Sequence, residues 1–190
     1  MEATDLNERQ REIVDTTMRL VSTKGLHELT MKKIAAEIGI SEPALYRHFQ
    51  SKSDILSALI DTLDQNRQII VRKAEKEGES LRSFMEGFFL GHARLFQERP
   101  GMTLILFSED LFSADAALAL RVRSMMEGTM GLLQRRIGDA GGGPDTLTTG
   151  LLLVGGFRLL VSLWRMGDHD FDLEARTRLF LSEAFARLGL

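Results

Sequence analysis

Apolar residues recur at three- and four-residue spacing along almost the whole chain, and that period predicts helices. Ile13, Val14, Thr17, Met18 and Val21 share one face of a first helix, which Gly25 ends. Thr30 is placed to cap a second helix, Met31 to Ile38, closed by Gly39. Ser41 caps a third, with Pro43 in its first turn, where a missing N–H costs little. Ser51 and Asp54, spaced as a capping box, open a long fourth helix striped by Ile55, Leu56, Leu59, Ile60, Leu63 and Ile70. A fifth carries Leu81, Phe84, Met85, Phe88, His92, Leu95 and Phe96 in register and ends before Pro100. A short sixth covers about Met102 to Phe107. A seventh runs from about Asp115 to Ile137 with Val122, Met125, Met126, Leu133 and Ile137 inward. The eighth, about Asp145 to Met166, is apolar on most sides, which predicts burial from two directions. The ninth starts after Asp172 and aligns Leu173, Phe180, Leu181, Ala184, Phe185 and Leu188. No convincing alternating run is present. The expected fold class is all-α, with about nine helices.

Composition narrows the function classes. At 190 residues, 44% hydrophobic and 27% charged, the chain has the balance of a globular protein and not of a disordered one. There are no cysteines, which excludes disulfides, thiolate metal sites and a Cys nucleophile. With the acidic, polar start Met1 to Asp5, which does not read as a signal peptide, this points to the cytoplasm. The longest apolar run, Gly150 to Trp164, has 15 residues with Arg158 inside it. It reads as too short for a bilayer span, so no membrane partner is expected. Gly141-Gly142-Gly143-Pro144 reads as a loop.

Net charge is −3, but its distribution is uneven. Between Arg19 and Ser53 the basic residues Arg19, Lys24, Lys32, Lys33, Arg47 and Lys52 outnumber the acids Glu28, Glu37 and Glu42. A basic patch on an acidic chain suits a local anionic partner. It coincides with two short helices joined by a tight Gly turn and followed by a long helix, the pattern of a helix-turn-helix unit. The second helix of such a unit enters the major groove.

Gly25, Leu29, Thr30, Ile34, Ala35, Gly39, Ser41, Leu45, Tyr46, His48, Phe49, Lys52 and the pair Ile55-Leu56 stand at the spacing of one signature. This segment, about residues 9 to 56, resembles the DNA-binding region of the tetracycline-repressor (TetR) family. The rest of the chain is similar to the family only in length and helical pattern. The resemblance implies a helix-turn-helix DNA-binding domain at 1–52. It also implies a helical ligand-binding and dimerisation domain at 53–190, joined to the first by a long helix. Tyr46 and His48 match family positions that touch phosphate or a base edge, and Lys32 a position that reaches either. Thr30, at a helix N-terminus, is placed to meet a phosphate, and Lys52 to add a charge for the backbone. Ser41, Glu42, Pro43, Ala44 and Arg47 fall on the exposed side of the recognition helix. Glu42 is suited to accept from a cytosine amino group, and Pro43 or Ala44 to meet a thymine methyl.

Ten of the eleven Phe and six of the nine Met lie at or after Phe84. They form either an ordinary helical core or the lining of an apolar ligand cavity, and the resemblance favours the cavity. The candidate lining is Phe88, His92, Phe96, Leu106, Phe107, Met125 and Met126. His92 is either a satisfied core histidine or a polar handle for the ligand. Arg158 is expected to pair with a carboxylate such as Glu109 or Asp110, to reach an interface rim, or to clamp a ligand carboxylate. Asp168-His169-Asp170 is read as a surface loop and not a metal cluster, so neither metal nor cofactor is expected. In the resembled family the last two helices form a four-helix bundle between subunits. That predicts a homodimer through Leu151, Val154, Gly155, Phe180 and Ala184, with Gly155-Gly156 allowing close backbone approach.

The expected function is a ligand-responsive transcriptional repressor, released from palindromic double-stranded operator DNA by a small hydrophobic effector. The alternative is a DNA-bound regulator controlled by a protein partner without a small-molecule ligand. An enzyme using His92 or His169 finds no support in a Ser-His-Asp set, a G-x-S-x-G element or a Gly-rich phosphate loop. No catalytic residue is expected.

Overall fold

The computed structural model describes residues 6–108, 115–141 and 145–190. Among them are nine α-helices and no strand. They are α1 (Glu8–Lys24), α2 (Met31–Ile38), α3 (Glu42–Tyr46), α4 (Lys52–Glu77), α5 (Leu81–Glu98), α6 (Gly101–Leu106), α7 (Ala116–Asp139), α8 (Thr146–Met166) and α9 (Leu173–Leu188). Local chemistry sets most of the ends. Asn7 and Gln10 close a reciprocal capping box on α1, Asp145 Oδ1 accepts from Thr148 N at 2.8 Å before α8, and Asp172 caps α9. The periodic pattern did not indicate the 3₁₀ turn at Leu26–Glu28.

Packing divides the chain into two compact units. One comprises residues up to Asn66 together with Arg99–Arg123; the other comprises Arg67–Glu98 and Ser124–Leu190. In the first, Ile13, Val21, Ile34, Leu45, Ile55, Leu59, Met102 and Ile105 are fully enclosed. Helix α6 lies on α1 at Gly101, where a Cβ would stand 2.7 Å from the Met18 carbonyl oxygen and collide with Ser22 Oγ. An ion pair, Arg99 to Asp15 at 3.5 Å, supports the same contact.

In the second unit α9 packs against both α5 and α8. Phe84, Phe88, His92 and Phe96 follow one another every fourth residue on α5, with successive ring centroids 6.3, 4.5 and 6.1 Å apart. Phe157 of α8 closes the cluster, 6.1 Å from Phe96 and 5.4 Å from Phe89. One expectation is corrected here. Helix α8 runs for 21 residues and is long and apolar enough, by length and composition, to cross a membrane, so the 15-residue run underestimated it. Within this chain it is covered on one side: Gly150, Leu153, Phe157, Val161 and Trp164 are buried, while Leu147, Leu151, Leu152, Leu159, Leu163 and Met166 are exposed. Periodicity reports which faces are apolar; it does not report which of them this chain covers.

Candidate nucleic-acid interface

The turn between α2 and α3 is built from its caps. Thr30 Oγ1 accepts from Lys33 N at 3.2 Å, and its hydroxyl hydrogen remains able to donate to a phosphate. Gly39 ends α2 in the left-handed region (φ 79°), which a Cβ would oppose. Its N–H and that of Ile40 return to the carbonyls of Ala36 and Ala35 at 3.2 and 3.0 Å. Ser41 Oγ then accepts from Ala44 N at 3.3 Å and starts α3. Ile34, Ala35, Leu45 and Phe49 are buried together in the first unit and hold the two helices.

That burial leaves the opposite side outward. Thr30, Lys32, Ser41, Pro43, Tyr46, Arg47 and Lys52 are exposed, and Glu42, Ala44 and His48 are half-buried. The His48 carbonyl accepts from Gln10 Nε2 at 3.4 Å, which ties the end of α3 to α1. Two lysines of the basic segment are engaged locally. Lys33 pairs with Glu28 and holds its carboxyl below the ordinary range, and Lys24 lies 3.7 Å from Glu37. Lys32, Arg47 and Lys52 form no ion pair among the described residues. The surface therefore presents cations, hydroxyls and an aromatic ring on one short helix and its neighbours, which is chemistry for phosphates and base edges.

The candidate effector residues are only partly gathered. Phe88 and Phe96 are buried and His92 half-buried on one face of α5. Leu106 and Phe107 are half-buried in the first unit; Met125 and Arg158 are half-buried in the second. Met126 corrects the inward reading, being 40% exposed although its helical angle follows that of Val122. The suggested carboxylates for Arg158, Glu109 and Asp110, lie outside the described residues.

His92 Nδ1 donates to the Phe88 carbonyl at 2.8 Å, which leaves Nε2 as an acceptor. Burial pushes its pKa down to about 4; the bond to Phe88 opposes that shift and the Arg67 charge adds to it. In the unfolded chain the group titrates near the ordinary histidine value of about 6.5. Between those values the unfolded state binds a proton that the folded state refuses, so stability should fall as pH drops from about 6.5 towards 4. His92→Phe should flatten that part of the curve, measured by denaturant midpoint against pH. An unchanged slope would remove His92 as its source.

Asp168-His169-Asp170 forms a helix-ending turn. Asp168 and His169 are both left-handed (φ 53° and 64°), His169 N donates to the Trp164 carbonyl at 2.8 Å, and its ring rests 4.2 Å from that of Trp164. On α8 the two adjacent glycines differ. A Cβ on Gly156 would sit 2.6 Å from the Phe180 ring, so its close approach lies within this chain; one on Gly155 would meet nothing within 4 Å. Of the candidate dimer residues, Leu151 and Gly155 are exposed, and Val154, Phe180 and Ala184 are half-buried. The same face continues through Leu147, Leu159 and Leu163, which sequence reasoning left out although all lie four residues apart in one row.

The family model described as bacterial regulatory proteins, tetR family, matches residues 13–59. The nucleoid occlusion factor SlmA of Glaesserella parasuis is 30% identical over 136 residues, covering 69% of this chain and 67% of that relative. The chain belongs to the TetR family. SlmA of Haemophilus ducreyi is 28% identical over 124 residues, covering 65% of this chain and 61% of its own, so the chain spans less than two thirds of that relative. The TetR fold extends beyond the signature. The transcriptional regulator FadR of Bacillus subtilis, solved in complex with stearoyl-CoA, superposes with a TM-score of 0.76 at 20% identity, covering 94% of this chain and 97% of that one. The exposed side of α2 and α3, within the segment that the family model matches, carries the candidate interface of this TetR-family chain.

Proposed function

We propose that the chain is a cytoplasmic, homodimeric transcriptional repressor. Residues 1–52 read a palindromic operator, and residues 53–190 bind a small hydrophobic effector and hold the dimer. The observation that carries the reading is the outward set of Pro43 and Tyr46 on α3 with its caps Ser41 and Arg47, flanked by exposed Lys32 and Lys52. Two copies related by a two-fold axis would set two such helices one helical turn of DNA apart, about 34 Å. The Phe-rich second unit supports an apolar effector, aromatic or acyl-chain in character, and FadR bound to stearoyl-CoA is a protein of this fold with such a ligand.

The direct test is binding to duplex fragments from the region flanking the protein's own coding sequence. Binding to a palindromic fragment is expected at low salt. Lys52→Ala should weaken binding to all sequences alike and reduce the salt slope by about 1, as for one phosphate contact. No binding to any such fragment would overturn the reading.

A second reading is a DNA-bound regulator controlled by a protein partner. Two observations favour it: the relatives above are named nucleoid occlusion factors, and the rings of Phe89 and Phe96 both pack on that of Phe157. Linkage separates the two. An effector that lowers operator affinity tenfold, about 1.4 kcal/mol, must itself bind tenfold more weakly when operator is saturating. Equal effector affinity with and without operator would favour control by a protein.

A further inference from the structure

The hydrogen-bond ladder of α4, whose first turn presents Lys52, begins on a long bond. Ile55 N reaches the Ser51 carbonyl at 3.4 Å, long for a helix bond, and Ser51 Oγ supplies the cap by accepting from Asp54 N at 3.1 Å. A second hold comes from 62 residues further along the chain. The Ser53 hydroxyl donates to Asp115 Oδ2, and the other carboxylate oxygen of Asp115 accepts from the N–H groups of Ala117 and Leu118 at 3.0 and 3.1 Å. One carboxylate therefore caps α7 and grips α4. Two turns further along α4, Asp61 pairs with Arg121, and both side chains are largely shielded. Between these two ties Leu118 of α7 and Ile55, Leu56 and Leu59 of α4 are buried, as is Val122 just beyond Arg121. All of these residues belong to the first unit, the one that contains α2 and α3.

We propose that Asp115, through Ser53, is a positioning residue for DNA binding: it holds the first turn of α4 so that Lys52 is aimed at the phosphate backbone. The proposal rests on the reading of Lys52 as a phosphate contact. A lysine at the first residue of a helix inherits the motion of that turn. If the turn frays, its ammonium samples more positions and the contact costs more entropy to form. The contact is sequence-independent, so the effect of Asp115 is also sequence-independent, and the residue adds to affinity without touching DNA. The ordinary carboxylate form is the one required, and the Ser53 hydroxyl followed by the Leu118 amide keeps Asp115 below the usual carboxyl range.

The test uses the full-length protein and a random-sequence duplex of about 30 base pairs at low salt, where phosphate contacts dominate. Ser53→Ala removes the donor. Asp115→Ser keeps a helix cap but is too short to reach α4. Ser53→Thr keeps the hydroxyl and serves as the rescue. Ser53→Ala and Asp115→Ser are each expected to weaken binding about fivefold, the loss for one hydrogen bond. The double variant should be no weaker than the poorer single one, and Ser53→Thr should bind as the parent does. In a Lys52→Ala background the same two changes should have no further effect. A purely structural role would lower the melting temperature and leave these affinities unmoved, and that result overturns the proposal. Losses that add to that of Lys52→Ala overturn it as well. If Lys52→Ala itself changes nothing, the phosphate contact fails and the proposal fails with it. If Lys52→Ala weakens binding while Ser53→Ala and Asp115→Ser do not, only the proposal falls.

Discussion

A variant carrying Leu151→Glu and Leu159→Glu should sediment as a monomer at micromolar concentration and lose its affinity for a palindromic duplex. Leu147, Leu151, Gly155, Leu159 and Leu163 lie every fourth residue along α8, and the four leucines are exposed, Leu151 at 53% and Leu159 at 61%. Burying a leucine contributes about 1.5–3 kcal/mol, and a two-fold interface counts each one twice. Placing four carboxylates in the same seam adds the cost of burying unpaired charge, several kcal/mol more. Together these should raise the dimer dissociation constant by at least about a thousandfold, the equivalent of about 4 kcal/mol. Gly155 gives the companion test. Nothing in this chain opposes a side chain there, so Gly155→Leu should leave the monomer fold intact by circular dichroism and disturb only association. A double-Glu variant that still sediments as a dimer would move the interface elsewhere.

Gly101→Val should destabilise the first unit by about 3 kcal/mol, at the upper end of the range for overpacking. Its Cβ would stand 2.7 Å from the Met18 carbonyl, and a main-chain oxygen in the middle of α1 has nowhere to go. The Ser22 side chain, also in the way, already donates to that carbonyl at 3.0 Å. For a chain of this size the loss corresponds to a fall in melting temperature of about 10 °C. Gly128→Val is the matched control, because a Cβ there meets nothing within 4 Å. Equal melting temperatures for the two variants would show that α6 withdraws from α1 at little cost.

The ends of the helices and the candidate DNA surface were legible because they rest on local chemistry. Thr30 reaches Lys33 N, Ser41 reaches Ala44 N and Asp172 reaches Ala175 N, each three residues away, so residue type and spacing predict the contact without knowledge of the fold. The left-handed Gly39 between two capped helices is likewise a property of four or five neighbouring residues. Once those two helices exist, burial of Ile34, Ala35 and Leu45 turns Ser41, Pro43 and Arg47 outward. The exposed row on α8 was half legible. Its apolar period was plain, but two apolar faces on one helix look alike until a neighbour covers one of them.

What tertiary structure alone decided is every choice between residues of the same type and every tie across a long separation. Gly155 and Gly156 are identical in sequence terms, yet α9 brings Phe180 onto one and leaves the other open. Val122 and Met126 lie one turn apart on α7, yet one is enclosed and the other exposed, because direction is periodic and cover is not. Ser53 with Asp115, and Asp61 with Arg121, join residues 62 and 60 apart. No spacing rule links them, since the separation counts every residue of the intervening helices and carries no period of its own. The caps and turns were therefore determined by the order of residues. Which surfaces are covered, and which distant side chain steadies the first turn of α4, were settled only when the helices packed.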